Sequence, residues 1–170
     1  SWINIPHVTQ HDECDLSALF ELRTQLNTQH ELKISPLAFI AKVTAEVLTE
    51  FPMLNSSLDQ GLEKIVIKNY VNMGIAVDTP EGLIVPNIKN VQEKSILNIA
   101  EEIAMLASAA KTRKLKIPDL KGASFTISSL GAIGGKFFTP IINPPEVGIL
   151  GLSKTFAKVV AKNDGFESRE

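Results

Sequence analysis

The side chains best placed to do chemistry lie in one segment, Gly122-Ala-Ser-Phe-Thr-Ile-Ser-Ser-Leu-Gly-Ala-Ile-Gly-Gly135. Successive side chains of a strand point to opposite faces. Ala123, Phe125 and Ile127 then face a core, while Ser124, Thr126 and Ser128 line the other face. Ser128 stands where the strand gives way to a glycine-rich loop, a good place for a hydroxyl to meet a substrate. The plainer reading, which the segment alone favours, is a half-exposed antiparallel strand with an ordinary polar face. The glycines match neither G-x-G-x-x-G nor a P-loop, and no Lys-Ser/Thr pair follows. Thr126 and Leu130 occupy the positions that glycines hold in a nucleophile elbow, so Ser128 is a poor hydrolase nucleophile. Donation to a developing oxyanion stays open.

The histidines are His7, His11 and His30. Their spacing, even with Asp12 and Glu13 nearby, fits no recurrent zinc pattern, and no metal site is expected. None lies in the second half of the chain, so serine chemistry here needs a base from elsewhere. Asp78 reads most simply as a turn residue after a strand. Arg23 on the first helix and Ser35 at the cap of the second carry no chemical signal by themselves. Pro144-Pro145 reads as a rigid entry into the next strand.

Residues 2–10 alternate like a strand, and Asp15 caps a helix carrying Leu16, Leu19, Phe20 and Leu26. Ser35 is a natural N-cap and Pro36 suits the first helical position. Leu37, Ile40, Ala41, Thr44, Val47 and Leu48 follow on one face, and Pro52 ends that helix. Strands are expected over 54–59, 63–69, 71–78 and 83–88, with a turn at Asp78-Thr-Pro-Glu-Gly82. Ile96, Ile99, Ala100, Ile103, Leu106 and Ala110 form the stripe of a third helix. Its acids Glu101 and Glu102 precede its bases Lys111, Arg113 and Lys114, which suits the helix dipole. Strands over 122–128, 147–153 and 156–162 follow, then a hairpin turn at Asn163-Asp164-Gly165. A returning strand is expected to begin only where the chain reaches Glu170. Mixed rather than alternating elements predict an α/β fold with a mixed sheet and packed helices, not a doubly wound nucleotide-binding fold.

Composition narrows the classes. A length of 170 residues suggests one domain, and 44% hydrophobic content supplies a sizeable core. A net charge of −2 with interspersed signs gives no case for nucleic acid or a membrane surface as partner. Cys14 is the single cysteine, which excludes an intramolecular disulfide and fits a reducing compartment. No apolar run reaches the roughly 18 residues of a membrane span.

Five stretches in order carry a family resemblance: Ile5-Pro-His-Val-Thr9, Phe51-Pro-Met-Leu-Asn-Ser-Ser57, Gly74-Ile-Ala-Val-Asp-Thr-Pro-Glu-Gly-Leu-Ile-Val-Pro86, Phe125-Thr-Ile-Ser-Ser-Leu-Gly131 and Thr139-Pro-Ile-Ile-Asn-Pro-Pro-Glu-Val-Gly-Ile-Leu-Gly151. Together they resemble the C-terminal catalytic domain of dihydrolipoamide acyltransferases of 2-oxo acid dehydrogenase complexes. The resemblance implies a chloramphenicol acetyltransferase-like fold, trimers and a larger hollow core. It implies acyl transfer from the thiol of dihydrolipoamide to that of coenzyme A, the lipoyl group being carried on a separate domain. Ser128, by its place in Phe-Thr-Ile-Ser, matches the family serine that donates to the oxyanion. Looser matches offer Arg23, Ser35, Asp78 and Ser129 as coenzyme A contacts.

The family's His-x-x-x-Asp-Gly motif, whose histidine takes the coenzyme A thiol proton, does not occur in residues 1–170. The resemblance places it beyond Glu170 and a basic helix before Trp2. The expectation is thus a catalytic domain incomplete at both ends and without turnover on its own. Partner decarboxylase and dihydrolipoamide dehydrogenase subunits would be engaged through other domains, in the bacterial cytoplasm or the mitochondrial matrix, the cytoplasm being favoured. Ile-Ser-Ser-Leu-Gly and Asn-Ser-Ser resemble the acetyl-transferring members that serve pyruvate dehydrogenase. Branched-chain members are the alternative, and a core that assembles without catalysing is the reading from another class. A generic small-molecule binding domain would instead predict a monomer.

Overall fold

The computed structural model describes residues 3–31, 33–59, 61, 63–131 and 133–170. Trp2 of the expected first strand and Ala132 of the glycine-rich loop lie outside them. The elements run α1 Ser17–Gln29, α2 Pro36–Glu50, a 3-10 turn Pro52–Asn55, β1 Ser56–Leu58, β2 Ile65–Ile67, β3 Met73–Ile75, β4 Val77–Thr79, β5 Gly82–Ile84 and β6 Asn87–Ile88. A second 3-10 turn, Val91–Glu93, leads to α3 Ile96–Lys111. Then come α4 Ile117–Leu120, β7 Phe125–Ser129, β8 Ile149–Leu152, β9 Lys158–Lys162 and β10 Gly165–Arg169.

The two long helices form because their apolar residues recur on one face. On α2, Ala38, Ala41 and Ala45 are fully buried with Leu48 beside them. These small side chains let α2 lie close against α3, which buries Ile99, Ala100, Leu106 and Ala110. Ser95 caps α3 by accepting from the Asn98 N–H at 3.2 Å, leaving fewer orphan amides at its start. Under the helices lies a four-stranded sheet of order β6-β3-β7-β8. β6 runs antiparallel to β3, whereas β3, β7 and β8 are mutually parallel. The expected mixed sheet is therefore present. Short antiparallel pairs β1–β2, β4–β5 and β9–β10 surround it.

Three expectations need correction. Residues 6–16 make no strand. Ile3 and Val8, apolar residues of this stretch, are 95% and 97% exposed, so they cover no core. It is held instead by His7, whose Nδ1 contacts the Ile5 carbonyl at 2.7 Å and whose Nε2 accepts from the Ile142 N–H at 3.0 Å. Asp15 is not the N-cap of α1 but sits one residue earlier, its Oδ1 accepting from the Ser17 N–H at 2.9 Å. The returning strand lies inside the chain: β10 pairs with β9 along its whole length from Gly165↔Lys162 to Arg169↔Lys158. Leu16 N–H then donates to the Glu170 carbonyl at 2.8 Å, joining the hairpin to the start of α1.

Gly74 shows how tightly the sheet is filled. A Cβ there would lie 2.6 Å from Thr126 Oγ1 and 3.0 Å from Val85 Cγ1. Gly74→Ala is expected to cost about 1–3 kcal/mol through overpacking, read as a lower urea midpoint at unchanged slope.

Candidate active site

β7 is the central strand, with β3 on one side and β8 on the other. Its register sets Thr126 against Gly74 and Ile149, and Ser128 against Gly151. Helices and loops cover both of its faces: Ser124, Phe125, Thr126 and Ile127 are all buried. The expectation of a half-exposed antiparallel strand was wrong on both counts. Parallel strands inside an α/β sheet are usually covered on both sides. Ser124 is accommodated by partners that pattern alone does not reveal. Ser124 Oγ accepts from the Asn72 N–H at 3.0 Å. Asn72 in turn donates to the Gly122 carbonyl at 2.8 Å and accepts from the Asn90 N–H at 3.0 Å.

Ser128 is half-buried near the C-terminal end of β7. Its hydroxyl makes no hydrogen bond among the described residues, unlike those of its neighbours Ser124 and Ser129. Ser129 is exposed, and its Oγ accepts a long bond of 3.4 Å from the Gly131 N–H. Ser129 and Ser35 both line one cleft of about 1210 Å³, together with His11, Lys136, Phe137 and Gly151. Ser35 precedes α2 as expected, but its side chain makes no cap bond and stays available at the cleft. Ser128, Arg23 and Asp78 are not on this wall. Arg23 Nε donates to the Ile34 carbonyl at 2.7 Å and so ties α1 to the approach of α2. Asp78 is exposed in β4, opposite Leu83.

The cleft wall owes its shape to Gly151. A Cβ there would meet the Phe138 ring at 2.9 Å and Pro140 at 3.2 Å, so these groups close over the strand beside Ser128. His11 packs edge-on against Phe137 with ring centroids 5.1 Å apart.

A sequence model of the 2-oxoacid dehydrogenases acyltransferase catalytic domain matches residues 1–170. The chain belongs to this family. It is 46% identical to the dihydrolipoyllysine-residue acetyltransferase component of the pyruvate dehydrogenase complex of Cupriavidus necator, over 99% of this chain and 31% of that protein. For the corresponding protein of Azotobacter vinelandii the identity is 45%, over 99% of this chain and 27% of the relative. The chain thus spans about a third of the length of these curated relatives. A solved structure of Azotobacter vinelandii dihydrolipoamide acetyltransferase superposes with a TM-score of 0.95 at 45% identity, covering 99% of this chain and 70% of that one. The cubic core of a pyruvate dehydrogenase multienzyme complex gives 0.94 at 44% identity, with the same coverage. The fold is that of the family's acyltransferase cores, as the resemblance implied.

One buried group in this family domain escaped the sequence reading. Glu146, from Asn-Pro-Pro-Glu, is 2% exposed. Burial pushes its carboxyl above the usual glutamate range, against the opposing pull of Thr126, Asn143 and the Lys68 ammonium. The Asn143 side-chain amide donates to its Oε1 at 3.3 Å. Lys68 Nζ, Thr126 Oγ1 and Glu146 Oε2 are all buried without a hydrogen bond of good geometry. The available signal was an acid set directly before the apolar run Val147–Leu152.

Because the folded state holds the Glu146 proton more tightly than the unfolded chain, its contribution to stability is fully present below the ordinary glutamate pKa. It is lost as pH rises through the raised value. The stability of the wild type minus that of Glu146→Gln is expected to fall across that window and then level off, measured by urea denaturation at successive pH values.

Proposed function

We propose that this domain catalyses acetyl transfer between dihydrolipoamide and the thiol of coenzyme A, as part of a pyruvate dehydrogenase complex. The observation that carries the reading is the free hydroxyl of Ser128, half-buried on a strand fixed from both sides. Attack of a thiolate on the thioester carbonyl puts negative charge on that oxygen. The Ser128 hydroxyl donates to it, and collapse of the tetrahedral intermediate expels the other thiolate. A donor held rigidly before reaction stabilises this charge without reorganising, worth about 2.7–4 kcal/mol for comparable oxyanion donors. Ser128 does not act as a nucleophile, since β7 is regular strand and brings no base beside it.

Coenzyme A is assigned to the cleft that holds Ser35 and Ser129. Lys136 and Lys154 stand on its wall without a carboxylate partner among the described residues, which suits a phosphorylated ligand. Arg23 and Asp78 remain looser candidates for the same ligand. The lipoyl group arrives on another domain. The base that takes the thiol proton is not His7, whose ring is held by the Ile5 carbonyl and the Ile142 amide. The reading assigns it to the family's His-x-x-x-Asp-Gly motif, so residues 1–170 alone are expected to show no transfer from acetyl-CoA to dihydrolipoamide. Transfer at the rate of a complete domain would overturn that assignment.

Self-association, with trimers as the unit, is supported by surface chemistry. Ile65, Val66 and Ile67 of β2 are all exposed, although alternate residues point to opposite faces. Phe51, Met53 and Leu54 are exposed in the adjoining segment. Extended apolar surface of this kind marks an interface. Of the acyl groups, acetyl is favoured by the named relatives, with branched-chain groups as the alternative. Among the described residues no helix is long and apolar enough to cross a membrane. The bacterial cytoplasm is the proposed location.

Two measurements test this. In a chain that carries this domain together with His-x-x-x-Asp-Gly, Ser128→Ala is expected to lower kcat roughly 10²–10³-fold with little change in KM. An unchanged kcat would remove Ser128 from the mechanism. Light scattering on residues 1–170 is expected to give a trimer or a multiple of it, and a monomer at micromolar concentration would refute the interface.

A further inference from the structure

We propose that His7 is a positioning residue: it straps the segment 136–142 against the sheet and so holds the Phe138 ring on the wall of the ligand cleft, beside the strand that carries Ser128. The inference rests on the role given to that site above. Two stretches without regular structure meet here. Residues 6–16 form no helix or strand, and neither do the described residues of 133–148. Among the described residues, 136–142 make no backbone–backbone hydrogen bond. A segment without such bonds takes its position from side-chain contacts.

The N-terminal arm supplies three of these contacts, at alternate positions. His7 Nε2 accepts from the Ile142 N–H at 3.0 Å, Thr9 Oγ1 donates to Thr139 Oγ1 at 3.3 Å, and the His11 ring meets the Phe137 ring edge-on with centroids 5.1 Å apart. As the arm advances from 7 to 11 its partners recede from 142 to 137, so the two segments run in opposite directions. His7 is the best enclosed member of the series. Thr9, Thr139, His11 and Phe137 are exposed, whereas His7 and Ile142 are half-buried. The tautomer of His7 follows from its partners. Nδ1 lies 2.7 Å from the Ile5 carbonyl and so carries the proton, which leaves Nε2 as the acceptor that the Ile142 N–H requires.

The strap reaches the site through Phe138 and Pro140, which lie among the strapped positions 137, 139 and 142. A Cβ on Gly151 would stand 2.9 Å from the Phe138 ring and 3.2 Å from Pro140, so both groups rest on bare backbone there. Gly151 is the β8 residue in register with Ser128. Phe137 and Phe138 also line the cleft assigned to coenzyme A. Holding the Ile142 backbone therefore fixes an aromatic wall along the ligand cleft and next to the serine's strand. A histidine that only filled space could be replaced by phenylalanine. One that acts through Nε2 can be replaced by glutamine, whose Oε1 accepts a hydrogen bond, but not by phenylalanine, which accepts none.

The test follows the Ile142 amide, the Phe138 ring and the Gly151 amide by NMR in the isotope-labelled 170-residue chain, with coenzyme A affinity measured by calorimetry. His7→Phe is expected to speed hydrogen exchange at Ile142 roughly tenfold. It is also expected to shift the Phe138 and Gly151 resonances and to weaken coenzyme A binding several-fold. His7→Gln is expected to restore all four readouts. Unchanged Phe138 and Gly151 resonances in His7→Phe overturn the proposal, as does a His7→Gln chain that behaves like His7→Phe. A Phe138 ring that moves with no loss of coenzyme A affinity leaves His7 with a structural duty only, and overturns it too. Should His7→Phe fail to fold, the wild type decides. Its nitrogen spectrum is expected to show a ring protonated at Nδ1 and a through-bond coupling between the Ile142 amide and Nε2, and the absence of that coupling ends the proposal. If the wild type binds no coenzyme A, the cleft assignment falls, and the Phe138 and Gly151 resonances still decide the strap.

Discussion

Burial of both faces of β7 is the constraint on which the rest of the structure depends. A strand between two parallel neighbours has its backbone groups paired on each side, and here its side chains are enclosed as well. Such a strand would ordinarily be a near-continuous apolar run. This one reads Ser-Phe-Thr-Ile-Ser-Ser from position 124. Each inward hydroxyl demands a polar neighbour, because an unpaired buried hydroxyl costs about 1–3 kcal/mol. Asn72 serves Ser124 and links it to Asn90 and Gly122. Thr126 Oγ1 is buried without a hydrogen-bond partner. Ser128, third in the series, also has no partner among the described residues but lies where burial gives way to the half-exposed edge. The polar face of β7 thus runs from a bonded hydroxyl at Ser124 to an unbonded, partly accessible one at Ser128.

Much of this was legible in the sequence, for identifiable reasons. α2 and α3 are visible because periodicity, caps and breakers agree. Ser35 and Pro36 open α2, Pro52 follows it, and the Ile96–Ala110 stripe spans the length of α3. The mixed sheet followed from the irregular alternation of elements. The strand at 2–10 failed because alternation shows only that a segment could cover a core, and Val8 has none to cover. The polar face of β7 failed in the opposite direction. Ser124 and Thr126 look solvated yet are buried, and Ser124 is tolerable inside only through Asn72, 52 positions away. Non-local compensation of this kind leaves no mark in a local pattern.

The site itself was legible only in part. Strand alternation pointed to Ser128 but favoured an ordinary structural role. Resemblance to the family supplied the proposed donor role, and one observation suits it: Ser124 and Ser129 have bonded hydroxyls while Ser128 has none among the described residues. Ser35 and Ser129 meet at one cleft although 94 positions separate them, which no spacing rule could show. Arg23 illustrates the reverse case. Its guanidinium bonds the carbonyl of Ile34, so the structural duty is visible and a ligand would have to share it.

The glycines flanking β7 explain why a hydroxyl can be both rigid and accessible there. Gly74 on β3 admits the buried Thr126 side chain, and Gly151 on β8 admits the Phe138 ring. One glycine lets the sheet close tightly beneath the serine, and the other lets an aromatic wall approach beside it. The parallel strands β3, β7 and β8 all end on the same edge of the sheet, the edge at which ligands commonly bind in open α/β sheets. A nucleophile would need an exposed, strained elbow and an adjacent base. A donor needs a fixed direction and a free proton, and a regular strand locked between glycine-relieved neighbours supplies both. The architecture around Ser128 therefore suits stabilising charge that develops on a bound carbonyl, and it explains why the residue sits on a strand rather than on a loop.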